Sequence, residues 1–311
     1  MSSVAAVADD PQQQLDWEAR WRPRAGMAAV TAGVLTLAGF LWTAAAFGDL
    51  PRASGLTSFI QAVRPGPIGD QPSLRTPEFE FYRDHAFSFV GSSVVRGLAY
   101  LAFAYAITFL AVATRARRPE MPRPVVYIAL VGAVLFGVAG VLGGFGWISA
   151  VDSYLDGPRT VDTAADVSSD SVVITASLIA QLAQLAIAAG LLLVALNAMR
   201  VGLLTRFLGI LGMITGAFAV LEQFVFAFLL AFWMIALGFL FLGLSRRGVP
   251  PAWQTGQAEP WPPRQGGAAR GRDRGQVPAP EPDPEPTPAA ARRPHASSKK
   301  RKRKRRVDQE R

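Results

Sequence analysis

The stretch FVFAFLLAFWMIALGFLFLGL, Phe224 to Leu244, has 21 residues and no charged, amide or hydroxyl side chain. A helix rises 1.5 Å per residue, so this run spans roughly 30 Å, the thickness of the hydrocarbon core of a bilayer. Fourteen of its residues are Leu, Ile, Phe or Val, which favours membrane insertion by about 4–8 kcal/mol. A buried helix of a large soluble protein is disfavoured because several similar runs precede this one.

Composition and charge agree with a membrane protein. The chain has 311 residues, of which 50% are hydrophobic and 18% are charged, whereas soluble domains carry about 25% charged residues. The net charge of +9 comes from residues 245–311, which contain 17 Lys or Arg and seven acids. The absence of Cys excludes disulfides, thiolate nucleophiles and Cys-ligated metals.

The apolar runs predict an all-α, polytopic membrane helix bundle with six transmembrane helices and a disordered C-terminal tail. A cytoplasmic lead-in covers residues 1–24, and its Trp17 and Trp21 either rest at the headgroup level on one helix face or belong to an unstructured tail. The transmembrane domain covers residues 25–244, and the tail covers residues 245–311. The predicted spans are 25–47, 94–113, 125–148, 172–199, 201–221 and 224–244. For 201–221, a re-entrant or short hairpin is the alternative because Thr205 and Arg206 interrupt its start.

The distribution of arginines predicts the orientation. Basic residues concentrate in the lead-in, in the 114–124 loop and in the 200–206 connection, whereas the 149–171 loop carries five acids and one Arg. Because positive residues stay cytoplasmic, six spans with both termini inside satisfy every short loop. We therefore expect a multi-pass plasma-membrane protein whose acidic 149–171 segment is a solvated external loop.

The longest loop, 48–88, is broken by five prolines. Within it, the sequence Thr76-Pro77-Glu78 predicts a helix start: a capping hydroxyl, a proline where no N–H is needed and an acid near the positive helix end. We expect this helix to continue into the second span. After the last span, Trp253 and Trp261 are expected near the membrane face.

Polar residues within the spans are the candidate intramembrane sites. A charge at mid-membrane costs about 2.5–3.5 kcal/mol. Arg96 lies near the start of its span, so its guanidinium either snorkels to the headgroups or is a functional buried charge. Gln181 and Gln184 share a helix face and serve as polar contacts between helices or as the lining of a substrate path. Glu222, with Gln223, forms the turn between the last two spans.

Glycines predict helix packing. Gly140 and Gly144 in the third span have G-x-x-x-G spacing, and Gly212 and Gly216 repeat it in the fifth. Glycines four residues apart leave a strip where another backbone approaches closely. We expect these strips to pack within the bundle, and a face between two copies in a homo-oligomer is the alternative for Gly140 and Gly144.

The C-terminal tail has the clearest partner signal. A Pro-rich spacer precedes eight consecutive positive charges: Lys299, Lys300, Arg301, Lys302, Arg303, Lys304, Arg305 and Arg306. Such a run contacts anionic lipid headgroups, binds nucleic acid through its phosphates, or solubilises the chain without a fixed partner. The composition of the preceding segment predicts disorder.

The run AMRVGLLTRFLGILGMITG, together with the last span and PPAWQTGQAEPWP, resembles uncharacterised actinobacterial multi-span membrane proteins, a bacterial family of unknown function. The resemblance covers roughly residues 25–262 and implies five or six spans. It carries no known chemistry, so no functional residues are transferred.

Catalytic signals are absent from the sequence. It has no His-Glu-x-x-His motif, no paired intramembrane carboxylates and no Walker loop, so no catalytic, metal or cofactor-binding residue is assigned. We therefore expect a non-enzymatic structural or interaction protein whose basic tail contacts anionic lipid or nucleic acid. The alternative is a small-solute transporter that uses Arg96 and the Gln181–Gln184 face; the sequence identifies no small-molecule substrate.

Overall fold

The computed structural model describes residues 11–51, 66–221, 223–245 and 249–259, and the single positions 55, 59 and 63. In these residues the chain is helical, apart from loops and one isolated bridge between Pro72 and Thr160. The all-α prediction is therefore confirmed. The helices are α1 (Pro11–Phe47), α2 (Thr76–Asp84), α3 (Ala86–Arg117), α4 (Arg123–Leu155), α5 (Val161–Ser169), α6 (Ser171–Arg200), α7 (Arg206–Leu221), α8 (Gln223–Phe241) and α9 (Ala252–Thr255).

Four helices, α1, α3, α4 and α6, are long and apolar enough to cross a membrane. They contain the predicted spans 25–47, 94–113, 125–148 and 172–199. The helices α7 and α8 are apolar but shorter, with 16 and 19 residues, which correspond to roughly 24 and 28 Å. The chain is thus a membrane protein with four long candidate spans and one shorter helical pair.

The helices extend beyond the predicted spans because hydrogen bonding continues into polar turns that apolar runs do not include. Residues 11–24 belong to α1, so the described part of the lead-in is helical rather than unstructured. The helix α2 begins at Thr76, as predicted, but Arg75 occupies the capping position and the Thr76 hydroxyl donates to the Ser73 carbonyl. It ends at Asp84, so it does not continue into α3 as one helix.

Six helices pack in a ring. α1 lies between α8 and α3, and the order continues through α4, α6 and α7 back to α8. Small residues permit the closest approaches: a methyl group added at Gly190 of α6 would lie 2.7 Å from the Ala129 backbone of α4. One added at Gly33 of α1 would lie 2.7 Å from the Ala231 carbonyl of α8. Close backbone packing at these glycines therefore holds neighbouring helices together, alongside large buried side chains such as Phe103, Leu191 and Trp233.

Large apolar side chains also cover the outside of the bundle. Examples are Leu98, Val131, Leu182 and Phe232, each at least 50% exposed and each on a different helix. Contiguous apolar surface of this extent marks a membrane-contacting face. It agrees with the bilayer as the surroundings of the ring.

A second, smaller core lies at one end of α4, where α2 and α5 pack against it. Its buried members are Phe79, Val151, Tyr154, Leu155, Ala164 and Val167. The Thr76 and Tyr154 hydroxyls are hydrogen-bonded at 2.6 Å, and Arg159 pairs with Glu80 at 3.1 Å. The predicted 149–171 loop is thus largely helical: it contains the end of α4 and all of α5, which is capped by Thr160 and Thr163.

Candidate ligand cavity

A cavity of about 420 Å³ lies inside the ring, among the C-terminal part of α1, the N-terminal part of α3 and the start of α8. This volume falls within the range of small-molecule sites, about 300–1,000 Å³. Five helices contribute to its lining, which consists of Thr36, Phe40, Thr43, Ala44, Ser93, Arg96, Gly97, Ala99, Tyr100, Phe136, Gly137, Gly140, Gln184, Phe226 and Ala227.

Arg96 brings a positive charge to this cavity. Its aliphatic stem passes over Gly39 of α1, which has no side chain. A methyl group added at Gly39 would lie 2.7 Å from the Arg96 Cγ. Its Nη2 donates to the Oγ of the buried Ser93 at 3.3 Å. The Arg96 side chain thus lines the cavity and is at the same time exposed, so the functional interior charge and the snorkelling side chain both stay predictions. Among the described residues, no carboxylate pairs with it.

The threonine and serine hydroxyl groups of the lining already donate their protons to backbone carbonyls. Thr36 donates to Ala32, and Thr43 donates to Gly39, at 2.7 and 2.9 Å. Ser93 donates to the Phe89 carbonyl at 3.0 Å. Because a hydroxyl has one proton, these groups can offer only acceptor lone pairs to a ligand.

The two glutamines occupy different environments. The Gln184 amide donates to the Ala219 carbonyl and thereby joins α6 to α7, and the same residue lines the cavity. Gln181 is exposed and is not part of the lining. The predicted Gln181–Gln184 face is therefore divided: Gln184 combines both of the proposed roles, whereas Gln181 lies outside the cavity.

The third-span glycines also differ from each other. A methyl group added at Gly144 would lie 3.0 Å from the Ser93 Oγ, so this glycine faces α3 closely. Gly140 has no atom within 4 Å of that position and lines the cavity, so its expected role in packing within the bundle is wrong, and the alternative of a face between two copies stays a prediction. The close crossing of α3 and α4 instead involves Gly97 and Gly137, where the added methyl at Gly137 would lie 3.0 Å from the Gly97 carbonyl.

The fifth-span glycines Gly212 and Gly216 both lie against α6. A methyl group added at Gly212 would be 2.8 Å from the Ala195 Cβ, and one added at Gly216 would be 2.9 Å from the Ala188 carbonyl. The small-residue spacing in α7 therefore coincides with a close helix contact. This contact fixes Gln184 of α6 beside α7.

The opposite end of the ring is closed by a buried ion pair. The Arg117 side chain is 0% exposed and that of Glu18 is 3% exposed, and both guanidinium Nη atoms donate to the carboxylate. Arg117 also donates to the carbonyls of Ala113 and Ala252, at 3.1 and 2.6 Å. The pair thus joins α1, α3 and the segment that follows α8.

Trp253 of α9 covers this ion pair. It is 5% exposed, stacks on Phe109 with 5.9 Å between ring centroids, and donates its indole N–H to the Leu203 carbonyl at 2.8 Å. The Arg22 guanidinium lies 4.9 Å from its ring centroid. Residues 249–259 fold back into the end of the bundle, so Trp253 is a buried residue there, and its expected place near the membrane face stays a prediction. Trp261 lies outside the described residues.

Several predicted site residues also lie outside the part of the chain that the structure describes. They are Glu222 and the basic run Lys299, Lys300, Arg301, Lys302, Arg303, Lys304, Arg305 and Arg306. Within the described residues, no group of three or more His, Cys, Asp or Glu could hold a metal ion.

Sequence reasoning missed most of the lining. Tyr100 follows Arg96 by four positions and lines the same cavity. Thr36, Phe40 and Thr43 occupy one face of α1 at helical spacing, which was the available signal. The Glu18–Arg117 pair, by contrast, joins residues 99 positions apart and leaves no local signature.

Comparison with protein-family models, with curated proteins and with solved structures finds no match to this chain.

Proposed function

We propose that this protein is a non-enzymatic, multi-pass protein of a bacterial plasma membrane that binds a small solute in the central cavity and carries it across the membrane. The observation that carries the proposal is the cavity itself: it has about 420 Å³, five helices contribute to its lining, and Arg96, Tyr100 and Gln184 are part of that lining. A purely structural bundle has no need of such a space, because membrane helices associate by close packing.

The two ends of the ring differ in a way that supports transport. The cavity lies toward one end, whereas the Glu18–Arg117 pair and Trp253 fill the other. In the proposed orientation, with six crossings and both termini cytoplasmic, the filled end is the cytoplasmic one. The described arrangement then corresponds to a state closed toward the cytoplasm, and carriage requires a second state in which that end opens.

The absence of native Cys permits a direct test with single cysteines. We expect Gly140→Cys to react with a membrane-impermeant thiol reagent in right-side-out vesicles and, more slowly, in inside-out vesicles. Leu110→Cys, in the packed core, and Phe232→Cys, on the outer face, are controls that should stay unreactive from both sides. Reaction of Gly140→Cys from neither side would refute the cavity, and reaction from one side only would refute carriage.

The basic tail supports a second candidate function, the interaction role expected from the sequence. Eight consecutive Lys or Arg residues at 299–306 provide a strong electrostatic attraction to anionic lipid or to nucleic acid. Deleting residues 299–311 should weaken binding of the purified protein to one of the two, measured by co-sedimentation with anionic vesicles and by mobility shift of RNA. Unchanged binding in both assays would refute this role.

A further inference from the structure

We propose that the ligand of the central cavity is an amphipathic organic monoanion, bound through a carboxylate by Arg96. The inference rests on the proposed function in that it concerns the same cavity, but it specifies the chemistry that the cavity recognises. It follows from three features of the lining: its charge, its hydrogen-bonding capacity and the distribution of apolar surface.

The charge of the cavity is the first feature. Arg96 is the one residue of the described lining that carries a formal charge. Helices α3, α6, α7 and α8 contain no Asp or Glu, and in α4 the nearest acid, Asp152, is 12 residues beyond Gly140, or roughly 18 Å along the axis. In α1, Glu18 lies at the other end of the ring and is paired with Arg117. The described lining therefore has an excess of one positive charge, which one anionic group would balance.

Hydrogen-bonding capacity is the second feature. The hydroxyls of Thr36, Thr43 and Ser93 donate to carbonyls, so they do not supply protons to an anion. A guanidinium has five N–H groups in a planar fork, and that of Arg96 makes one hydrogen bond within the described structure, to Ser93. Arg96 therefore supplies the charged donors of the lining, beside the neutral Tyr100 hydroxyl and Gln184 amide, and a planar fork fits a carboxylate through two parallel bonds.

Apolar surface is the third feature. Phe40, Tyr100, Phe136 and Phe226 line the remainder of the cavity with Ala and Gly. The rings of Tyr100 and Phe136 lie 4.6 Å apart between centroids and form one wall. A small inorganic anion would leave this wall uncovered, whereas an aromatic or aliphatic group attached to the carboxylate would bury against it.

The test is equilibrium binding of 3-phenylpropionate and its neutral amide to the full chain in nanodiscs of zwitterionic lipid. We expect saturable binding of the carboxylate, and binding of the amide about 10- to 100-fold weaker, because a hydrogen-bonded charge is lost. Arg96→Gln should remove this preference, and Arg96→Lys should retain part of it. Arg123→Gln is the matched control, because Arg123 is an exposed arginine at the start of α4 and is not part of the cavity lining. This variant should keep the preference for the carboxylate.

A second variant protects the test against misfolding of the Arg96 variants. Gly140→Leu adds a side chain in the space where no atom lies within 4 Å of the added Cβ, so it should fold and lose carboxylate binding. Retained binding in Gly140→Leu, or equal binding of acid and amide to the unaltered protein, would overturn the proposal. The proposal would also be overturned if the unaltered protein bound acid and amide equally and only the Glu222→Gln variant preferred the acid. That result would identify Glu222 as the counter-ion of Arg96.

Two sources of the ligand share this chemistry: a water-soluble carboxylate and a fatty acid from the bilayer. Titrating 3-phenylpropionate into discs with and without oleate separates them. Displacement by oleate at low mole fraction supports the bilayer source, and insensitivity to oleate supports the aqueous source; both agree with the proposal. Loss of the acid preference with retained two-sided labelling of Gly140→Cys would refute the ligand class alone and leave the carriage proposal intact.

Discussion

Replacing Glu18 by Gln tests the buried ion pair at the closed end of the ring. The substitution keeps the shape of the side chain but removes the negative charge. Arg117 would then remain 0% exposed and without its carboxylate, held by the carbonyls of Ala113 and Ala252. A guanidinium in that position has no access to water, so its desolvation is no longer offset.

The expected magnitude follows from this burial. Breaking a buried pair by removing one partner costs about 3–5 kcal/mol. The matched control is Glu80→Gln, which breaks the pair between Glu80 and Arg159. The side chain of Glu80 is 45% exposed and that of Arg159 is 42% exposed. Exposed pairs contribute about 0–1 kcal/mol, so the two substitutions should differ several-fold in effect although the chemical change is identical.

The assay is reversible unfolding in mixed micelles, followed by tryptophan fluorescence, since Trp17 and Trp253 both contact Phe109 near the pair. Glu18→Gln should lower the free energy of unfolding by about 3–5 kcal/mol. The double variant Glu18→Leu, Arg117→Met should recover most of that loss, because it leaves no buried charge. A Glu18→Gln protein as stable as the Glu80→Gln control would refute the reasoning.

Four further substitutions test the packing. Trp253→Ala removes a buried indole and should cost about 3–5 kcal/mol, with faster hydrogen exchange across residues 252–259; slow exchange there would contradict its role. Gly190→Val should cost about 1–3 kcal/mol in unfolding assays through overpacking, whereas Gly140→Ala should be near neutral, and equal losses would contradict the close α4–α6 contact. Gln184→Leu should cost about 0.6–2 kcal/mol through loss of its bond to α7, and an unchanged unfolding midpoint would count against that bond.

The apolar runs sufficed to predict the four long helices, because a helix that crosses lipid must satisfy every backbone group within itself. Their ends were not predictable from the same signal. Residues 11–24 of α1 are polar, yet they continue the helix because Trp17 and Glu18 find partners on α3. Hydropathy predicts the apolar part of a helix, whereas the contacts of its polar turns determine where the helix ends.

The candidate site was partly predictable. Arg96 and Gln184 stand out in sequence because polar side chains in a span require partners. The sequence does not show that the Arg96 stem passes over Gly39 of the neighbouring helix, because the two residues are brought together only by the packing of α1 against α3. Gln181 and Gln184 differ by less than one turn, yet one is exposed and the other bonded, and only the position of α7 distinguishes them.

The closed end of the ring has a consequence for biogenesis. Glu18 and Arg117 leave the ribosome early, but the carbonyl of Ala252 and the indole of Trp253 that complete their surroundings are translated after every helix of the ring. Until then the guanidinium and carboxylate remain hydrated at the membrane surface. The segment after α8 therefore closes this end of the ring last, and a chain truncated before Ala252 would expose the Glu18–Arg117 pair to water, by which a quality-control protease can distinguish it from the longer chain.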